Sequence, residues 1–263
     1  MSSKCFFRTL ALVGAVALGS LAPVAKADVL DNIVKSGTIK VAVPQDFPPF
    51  GTVGSDMKPS GYDIDVANLI GKELGSKVEL VPVSSGNRVP FLTTGKVDLV
   101  ISSMGKNAER EKVIDFSIAY APFFNGVFGP DDIKVAKVEE LAGKTISVTR
   151  GSVEDLELSR IAPSDAVIKR FEDNNATITA YLSGQTQLIA TGNVVAASVN
   201  ERSKLRRLST KFLVKNSPCY VGLAKGETAL QARVNEIIAK ARKNGALNEI
   251  SQRWLHAQLP ADL

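Results

Sequence analysis

Two stretches of the sequence place hydrogen-bond donors directly after a predicted strand. In the first, residues 102–110 (SSMGKNAER) follow the apolar run 97–102. Arg110 carries a planar guanidinium, which can hold a carboxylate through two parallel charge-assisted hydrogen bonds. Ser102 and Ser103 add hydroxyl and backbone donors. Because the ligand crevice of an open α/β sheet lies outside the carboxyl ends of its strands, this stretch predicts an anion-binding position. A surface ion pair between Arg110 and a neighbouring acid is the alternative.

The second stretch is a predicted strand-to-helix turn, residues 149–153 (TRGSV). The first N–H groups of a helix have no partner within the helix, and the helix dipole is positive at that end. Ser152 and Val153 stand at this start, so the turn is also suited to an anion. Two such stretches on separate strands indicate a crevice that binds a small acidic group.

Side chains for common hydrolytic, phosphoryl-transfer or metal chemistry are scarce. His256 is the one histidine, and it stands near Trp254 in a C-terminal helical pattern, where we expect a packing or surface role. Cys219 has no histidine partner to activate a thiol nucleophile. The chain has no P-loop, no G-x-S-x-G motif and no zinc-ligand cluster. We therefore expect no catalytic residue, no metal and no cofactor, and a binding function rather than an enzyme.

The composition of the 263 residues, 44% hydrophobic and 22% charged, is that of a folded globular protein. The sequence pI of about 9.1 comes partly from residues 1–27, which hold three basic side chains and no acid. Residues 28–263 hold 29 basic and 27 acidic side chains, a nearly balanced charge. Such a body lacks the strong positive field of a nucleic-acid-binding protein, so we expect no nucleic-acid partner.

Residues 1–27 have the pattern of a secretory signal peptide. A short basic start precedes an apolar run at residues 9–21, and Ala25 and Ala27 supply the small residues that a signal peptidase reads. The run is shorter than the roughly 20 residues of a membrane-spanning helix; a membrane anchor is the alternative. Cys5 precedes the run, so no lipid anchor is expected. We predict cleavage after Ala27 and export to a periplasm, which leaves one cysteine and no intramolecular disulfide.

Strand and helix patterns alternate, stop, and start again along the rest of the chain. Predicted strands cover residues 38–43, 78–83, 97–102, 144–149, 166–171 and 187–190. Predicted helices cover residues 61–74, 87–94, 152–160, 174–183, 227–242 and 246–255, with Asp63 as the N-cap of the first. Extended segments lie at 116–128 and 219–224. This alternation is typical of parallel βαβ units and predicts two α/β lobes joined by two crossing strands. A single doubly wound sheet is the alternative.

Six motifs stand in an order that resembles the bacterial extracellular solute-binding proteins of family 3, the periplasmic receptors that deliver amino acids to ABC importers. The motifs are PPF at 48–50, GYDID at 61–65, NRVP at 87–90, GKVDL at 95–99 leading to SS at 102–103, ER at 109–110 with IDFS at 114–117, and GK at 143–144 leading to RGS at 150–152. The resemblance covers nearly the whole exported chain. It implies the type II periplasmic binding protein fold, in which two α/β lobes close on the ligand about a hinge.

The pattern and the resemblance together assign residues 28–121 and 220–263 to lobe I and residues 122–219 to lobe II. The resemblance implies a monomeric receptor that captures a small carboxylate-bearing solute, an amino acid or a derivative, and hands it to an inner-membrane ABC permease. A few proteins that resemble this family are periplasmic dehydratases of cyclic carboxylates, and such an enzyme is the alternative. Its general acid or base would be Glu154, the one acid near the predicted ligand.

Nine positions match ligand-binding positions of the family or lie beside them. Arg110 falls where the family's arginine grips the ligand α-carboxylate, and Phe47 aligns with the aromatic residue that covers the ligand side chain. The other positions are Arg88 on the pocket wall, the donors Ser102, Ser103 and Gly105, the helix start Ser152 and Val153, and Asn193. Gly105 departs from the family's usual Ser or Thr, so one hydroxyl donor is missing although the N–H remains.

The position that receives the ligand's α-ammonium in many amino-acid binders lacks its acid here. Gly192 and Asn193 occupy the neighbourhood of the family's aspartate, and residues 185–200 contain no acid. A neutral amide accepts a hydrogen bond without the charge-assisted part, which counts most in a closed, dry cleft. Two alternatives follow. Either another acid, Glu154 or Asp46, takes the role, or the ligand is not an ordinary free α-amino acid.

Overall fold

The computed structural model describes residues 28–263. Its helices are α1 (Val29–Ser36), α2 (Tyr62–Glu73), α3 (Arg88–Thr93), α4 (Ala108–Val113), α5 (Val153–Ile161), α6 (Asn174–Leu182), α7 (Asn193–Arg202), α8 (Thr228–Lys243) and α9 (Ala246–Leu255). Its strands are β1 (Thr38–Val43), β2 (Asp46–Phe47), β3 (Gly51–Val53), β4 (Pro59–Ser60), β5 (Lys77–Pro82), β6 (Leu99–Met104), β7 (Ile114–Ala121), β8 (Phe124–Gly129), β9 (Thr145–Thr149), β10 (Val167–Phe171), β11 (Leu188–Gly192), β12 (Ser209–Asn216) and β13 (Cys219–Ala224). Short 3₁₀ turns lie at Ser85–Asn87 and Val138–Leu141. The predicted signal peptide lies outside the described residues.

The first five-stranded sheet has the order β5-β1-β6-β13-β7. β1 runs parallel to β5 and β6, whereas β13 runs antiparallel to β6 and β7. Alternate residues of its central strands enter two apolar clusters, because successive side chains of a strand point to opposite faces. Val41 and Leu99 pack with α2, α8 and α9 on one face, and Ala42 and Val100 pack with α3 on the other. Helices therefore cover both faces of this sheet.

The second five-stranded sheet has the order β10-β9-β11-β8-β12. β9 runs parallel to β10 and β11, and β8 runs antiparallel to β11 and β12. Its two faces also hold separate clusters: Ile146 and Leu188 pack with Leu158 of α5, whereas Ile189 packs with Tyr181 of α6. A small antiparallel sheet of β2, β3 and β4 joins neither of these sheets.

The chain passes between the two large sheets at two adjacent places. It leaves the first sheet between β7 and β8, at residues 122–123, and returns between β12 and β13, at residues 217–218. The Ser217 N–H donates to the Phe123 carbonyl oxygen at 3.0 Å, so the crossings lie side by side. The prediction of two α/β lobes joined by two crossing strands is confirmed, and the single-sheet alternative is wrong. The predicted lobe limits at residues 121 and 219 stay a prediction.

One predicted helix start is wrong. α2 begins at Tyr62, and its N-cap position is Gly61, whose φ of 143° favours glycine. A Cβ at position 61 would lie 2.3 Å from the Phe50 carbonyl oxygen. Asp63 does not cap the helix because its carboxylate turns into the protein and accepts hydrogen bonds from Ser103 and Tyr120.

The sequence patterns did not predict α7 or β12. α7 follows the last residue of β11 without a turn, and β12 is a half-exposed edge strand with two register shifts. Gly192 is both the last residue of β11 and the N-cap position of α7, so no loop separates these two elements, and Pro218 is the boundary residue that follows β12. The helices of residues 28–263 all fall short of the length and apolarity that a bilayer span requires.

Candidate functional site

A small cavity lies between the two sheets, where β1, β6 and β9 end. Its volume is about 30 Å³, which leaves room for a water molecule or two. The side of the first sheet contributes Pro44, Phe47, Val83, Ser85, Arg88, Ser102 and Ser103. The opposite wall consists of Phe123, Asn125, Thr149, Ser152, Val153, Glu154, Asn174, Ala190 and Thr191. Residues of both sheets and of the crossing therefore enclose one largely polar space.

Arg88, the first residue of α3, brings a buried positive charge to this cavity. Its side chain is 5% exposed. Nη1 donates to the Ser102 carbonyl oxygen at 2.8 Å, and Nε donates to the Ser85 carbonyl oxygen at 3.1 Å. Burial lowers the pKa of Arg88, and the nearby Glu154 opposes this effect. Because a guanidinium has five N–H groups, three remain after these two bonds, and a carboxylate can accept from them.

Arg110 lies behind the cavity wall and contacts both lobes. Nη1 donates to the Gly105 carbonyl oxygen at 2.6 Å, and Nη2 donates to the Gly151 carbonyl oxygen at 2.8 Å. Burial, with a smaller contribution from the positive charge of Arg88, lowers the pKa of Arg110 to about 9, and the nearby Glu154 acts in the opposite direction. The predicted carboxylate clamp thus stands beside the cavity and not in its lining. Its role in ligand binding stays a prediction.

Asp63 holds the C-terminal end of β6 in place through hydrogen bonds to Ser103. Its Oδ2 accepts from the Ser103 N–H at 2.8 Å and from the Ser103 hydroxyl at 3.0 Å, and its Oδ1 accepts from the Tyr120 hydroxyl at 2.6 Å. Ser103 adopts a φ of 44°, which is unusual for a residue with a side chain. Burial raises the pKa of Asp63 to about 7 although these donors act in the opposite direction. The donors predicted on Ser103 are therefore engaged by Asp63, although the residue lines the cavity.

The start of α5 forms the facing wall. Ser152 is its N-cap, and the Ser152 Oγ accepts from the Asp155 N–H at 3.2 Å. Gly151 precedes it with a φ of 71°, and the Gly151 N–H donates to Asp155 Oδ2 at 3.0 Å. This double cap directs Ser152, Val153 and Glu154 into the cavity. Two of the three were predicted ligand-binding positions, and Glu154 was expected only as an alternative acid.

Glu154 carries the negative charge of the cavity wall. It is 4% exposed. Burial raises the pKa of its carboxyl, and hydrogen bonds from its own N–H and from Ser152 act in the opposite direction, as do the charges of Arg88 and Arg110. The ion pairs within 4 Å among residues 28–263 do not include Glu154. Its charge is therefore only partly compensated.

An aromatic group closes the cavity on the crossing side. The ring of Phe123 lies 6.1 Å from that of Phe47 and 5.4 Å from that of Phe50, measured between centroids. Phe47 packs against apolar clusters of both lobes. A Cβ at Gly192 would lie 2.0 Å from Cζ of Phe123. The aromatic ring therefore fills the space that an acidic side chain at position 192 would need.

Gly105 and Asn193 lie outside the cavity lining, although both were predicted site positions. A Cβ at Gly105 would lie 2.2 Å from the Ser217 hydroxyl oxygen, so the missing side chain makes room for the crossing segment. The Asn193 side chain accepts from the Phe124 N–H at 3.2 Å. The other acid considered for the ammonium, Asp46, accepts two hydrogen bonds from Asn174 and also does not line the cavity.

Several lining residues were missed by sequence reasoning. Thr191 stands near the end of β11, so the carboxyl-end rule that singled out Ser102 could have found it, whereas Thr149 at the end of β9 lay within the predicted stretch 149–153 but was not singled out as a site residue. Phe123 and Asn125 belong to the crossing region, where no local signal indicates which side chains face the cavity. Within residues 28–263, no three potential ligand side chains come together in a way that could hold a metal ion.

The sequence and fold match known binding proteins. The sequence pattern of the bacterial extracellular solute-binding proteins, family 3, matches residues 39–257. An ABC transporter glutamine-binding protein of Bacillus subtilis (strain 168) is 28% identical over 242 residues, which cover 90% of this chain and 88% of that protein. The solved structure of a cysteine-binding protein from Campylobacter jejuni has a TM-score of 0.81 and 26% identity, covering 90% of this chain and 96% of that chain.

A solved solute receptor for L-cysteine of Neisseria gonorrhoeae has a TM-score of 0.80 and 28% identity, covering 86% of this chain and 93% of that chain. These relatives are binding proteins and not enzymes, so the predicted dehydratase alternative is not favoured. The predicted type II periplasmic binding protein fold is confirmed. With a family pattern that spans residues 39–257 and a cavity between two lobes, this chain belongs to the bacterial extracellular solute-binding proteins of family 3.

Proposed function

We propose that this receptor captures a free α-amino acid, or a close derivative, between its two lobes and delivers it to an inner-membrane ABC permease. The observation that carries the proposal is the position of the buried Arg88, which faces the start of α5 across a cavity lined from both sheets. The relatives named for glutamine and for cysteine support the ligand class. Because they differ in ligand, they do not select one amino acid.

The carboxylate of the ligand would bind to the two buried arginines. Arg88 has three N–H groups left after its bonds to Ser102 and Ser85. Arg110 bonds to Gly151 of the opposite lobe, and this bond breaks when the lobes separate. Its guanidinium is then free to turn toward a ligand carboxylate and make a charge-assisted pair. Ser102, Ser152 and Val153 would complete the carboxylate contacts from the two strand ends.

Binding requires the lobes to open. The cavity has room for a water molecule or two and not for an amino acid, so the ligand enters only when the walls separate. The adjacent crossings at residues 122–123 and 217–218 are the natural hinge, because the chain passes between the two large sheets at these two places. A ligand that contacts both lobes binds the closed form better and shifts the population toward it. The closed shape would be the form that the permease recognises.

The proposed function also has consequences for where the protein is located and how it is assembled. We propose that residues 1–27 are removed after Ala27, that the mature protein is a periplasmic monomer, and that lobe I (28–121 and 220–263) and lobe II (122–219) move as two bodies. The family description, extracellular solute-binding proteins, supports export. No nucleic-acid partner is proposed because the charge of residues 28–263 is nearly balanced.

The test is a thermal-shift and calorimetric screen of the full chain, purified from the periplasm of a Gram-negative host. The panel contains glutamine, cysteine, cystine, arginine, histidine and glutamate. A ligand at 100 times its dissociation constant should stabilise the protein by about 2.7 kcal/mol. Arg88→Met should abolish the shift, whereas the exposed Arg150→Met, which loses only its ion pair with Glu172, should retain it. If no amino acid stabilises the protein, the proposal is wrong. Intact mass reports whether residues 1–27 were removed.

A further inference from the structure

We propose that Glu154 binds the ligand's ammonium group and takes the place of the acid that is absent from the end of β11. The proposal rests on the function proposed above. Of the residues that line the cavity, as far as the chain is described, Glu154 is the single acid and Arg88 the single base. A zwitterionic amino acid carries one charge of each sign, so the lining offers one counter-charge for each end of the ligand.

The other acids near the cleft already accept hydrogen bonds from protein groups. Asp46 accepts from the N–H and from the side chain of Asn174 and stands outside the cavity lining. Asp63 lies behind β6, where its two oxygens accept from Ser103 and Tyr120. An acid at position 192 would collide with the ring of Phe123. The ammonium of a bound ligand is therefore left with the carboxylate of Glu154.

The setting of Glu154 leaves its carboxylate short of a counter-ion. Glu154 is 4% exposed, and burial raises the pKa of its carboxyl against the opposing effects of its own N–H and of Ser152. Arg88 and Arg110 act on it at longer range, without an ion pair within 4 Å in the described chain. A buried charge that lacks a direct partner is costly. An ammonium placed against it would supply that partner where water is excluded and the attraction is strong.

The two charges also stand on opposite lobes. Arg88 starts α3 beside the first sheet, and Glu154 lies in the first turn of α5 beside the second sheet. A ligand whose carboxylate meets Arg88 and whose ammonium meets Glu154 spans the cleft with its two charges. Both contacts form together only when the lobes are closed, so the ammonium contact contributes to closure as well as to selectivity.

The test compares L-glutamine, L-arginine and L-cysteine with their des-amino analogues, which are glutaramic acid, 5-guanidinopentanoic acid and 3-mercaptopropionic acid. Affinities are measured by calorimetry on the full chain as purified, for the wild type, Glu154→Gln and Glu157→Gln. Glu157 lies on the same helix, pairs with Lys215 and Arg160, and does not line the cavity, which makes it a matched control.

The wild type should bind the preferred amino acid about 10- to 150-fold more tightly than its des-amino analogue, which is the range for a hydrogen bond to a charged group. Glu154→Gln should remove most of this preference by weakening the amino acid alone. Glu157→Gln should behave as the wild type. Glu154→Asp keeps the charge but withdraws it by one methylene, so we expect an intermediate preference for the amino acid over its des-amino analogue. This variant also serves as the test if Glu154→Gln folds poorly. Circular dichroism and thermal unfolding monitor the fold of each.

Three results would overturn the proposal. If Glu154→Gln keeps the wild-type preference, Glu154 does not bind the ammonium, and the amino-acid receptor stands without it. If Glu154→Gln binds both the amino acid and its des-amino analogue more tightly, Glu154 competes with the ligand carboxylate instead. If the wild type binds no amino acid of the six-member panel above at about 1 mM, which means a dissociation constant on the order of a millimolar or weaker, the proposed function fails and this inference fails with it.

Discussion

Asp46 of one lobe caps the helix α6 of the other. Its Oδ2 accepts from the Asn174 N–H at 2.6 Å, and its Oδ1 accepts from the Asn174 amide nitrogen at 3.1 Å. Asn174 is the first residue of α6, where backbone N–H groups lack partners inside the helix and the dipole favours a negative charge. This contact joins the lobes beside the cavity without entering its lining, so it stabilises the closed form independently of the ligand.

Asp46→Ala should weaken the binding of every ligand by the same factor. The lost hydrogen bonds involve a charged group, and part of their free energy is recovered by water when the lobes open, so we expect about a tenfold loss. Calorimetry with two or more amino acids that bind the wild type measures the factor. A loss that differs strongly between ligands would show that Asp46 contacts the ligand and would contradict the closure role.

Asp173→Ala is the matched control for that experiment. Asp173 caps the same helix from within its own lobe, where its Oδ1 accepts from the Ala176 N–H at 2.7 Å. Removal of an N-cap costs about 1 kcal/mol. This variant should therefore lower the free energy of unfolding while the affinity changes little.

Gly192→Ala should destabilise the protein although the backbone accepts a side chain there. Its φ of −76° and ψ of 147° are ordinary for any residue, but the Cβ would lie 2.0 Å from Cζ of Phe123. The Phe123 ring is packed against Phe47 and Phe50 and has little room to move. Overpacking of this kind costs about 1–3 kcal/mol, which urea unfolding can measure.

The double variant Gly192→Ala/Phe123→Leu tests the cause of that loss. A leucine removes the far end of the ring, so the effects of the two substitutions should not add. The double variant should be more stable than the sum of the single effects predicts. Strict additivity would mean that the destabilisation at position 192 has another origin.

Asp63→Asn should change the dependence of stability on pH. Burial raises the pKa of Asp63 to about 7 from an ordinary value near 3.8. A carboxyl with a raised folded-state pKa contributes stability below its unfolded pKa, and this contribution is lost as the pH rises toward 7. The wild type should therefore lose up to about 4 kcal/mol relative to Asp63→Asn between pH 4 and pH 8. Urea unfolding across this range measures the difference, and parallel profiles of the two proteins would refute it.

Arg110→Met should separate the two roles considered for this arginine. If Arg110 turns toward the ligand carboxylate after the lobes open, the variant should bind an amino acid about 100-fold more weakly and leave the weak binding of the amino-acid amide unchanged, because an amide carries no carboxylate. L-Arginine with L-argininamide is a suitable pair. Equal losses for both would limit Arg110 to its interlobe bond with the Gly151 carbonyl oxygen.

Much of the fold was predictable because its signals are local. The apolar strands, the helix start at Ser152 and the interrupted alternation that predicts two lobes depend on neighbouring residues, and the ordered motifs added the type II periplasmic binding protein fold. The predicted helix at 246–255 agrees with α9 to the residue. The wrong helix cap shows where a local signal misleads. Asp63 resembles a helix cap in sequence, and only its distant partners Ser103 and Tyr120 decided where its carboxylate lies.

The candidate site could be predicted only in part from the sequence, and the tertiary structure decided the rest. Residue types and spacing determined that strand ends carry donors, that two arginines stand near those ends, and that the end of β11 lacks an acid. The tertiary structure decided which of these groups face the cavity. It brought Arg88 and Glu154 into the lining, left Arg110 and Asp46 beside it, and filled the space at Gly192 with Phe123. The physical reason is that the cavity forms where two separately folded sheets meet, and contacts between segments 40 to 130 residues apart carry no local sequence signal.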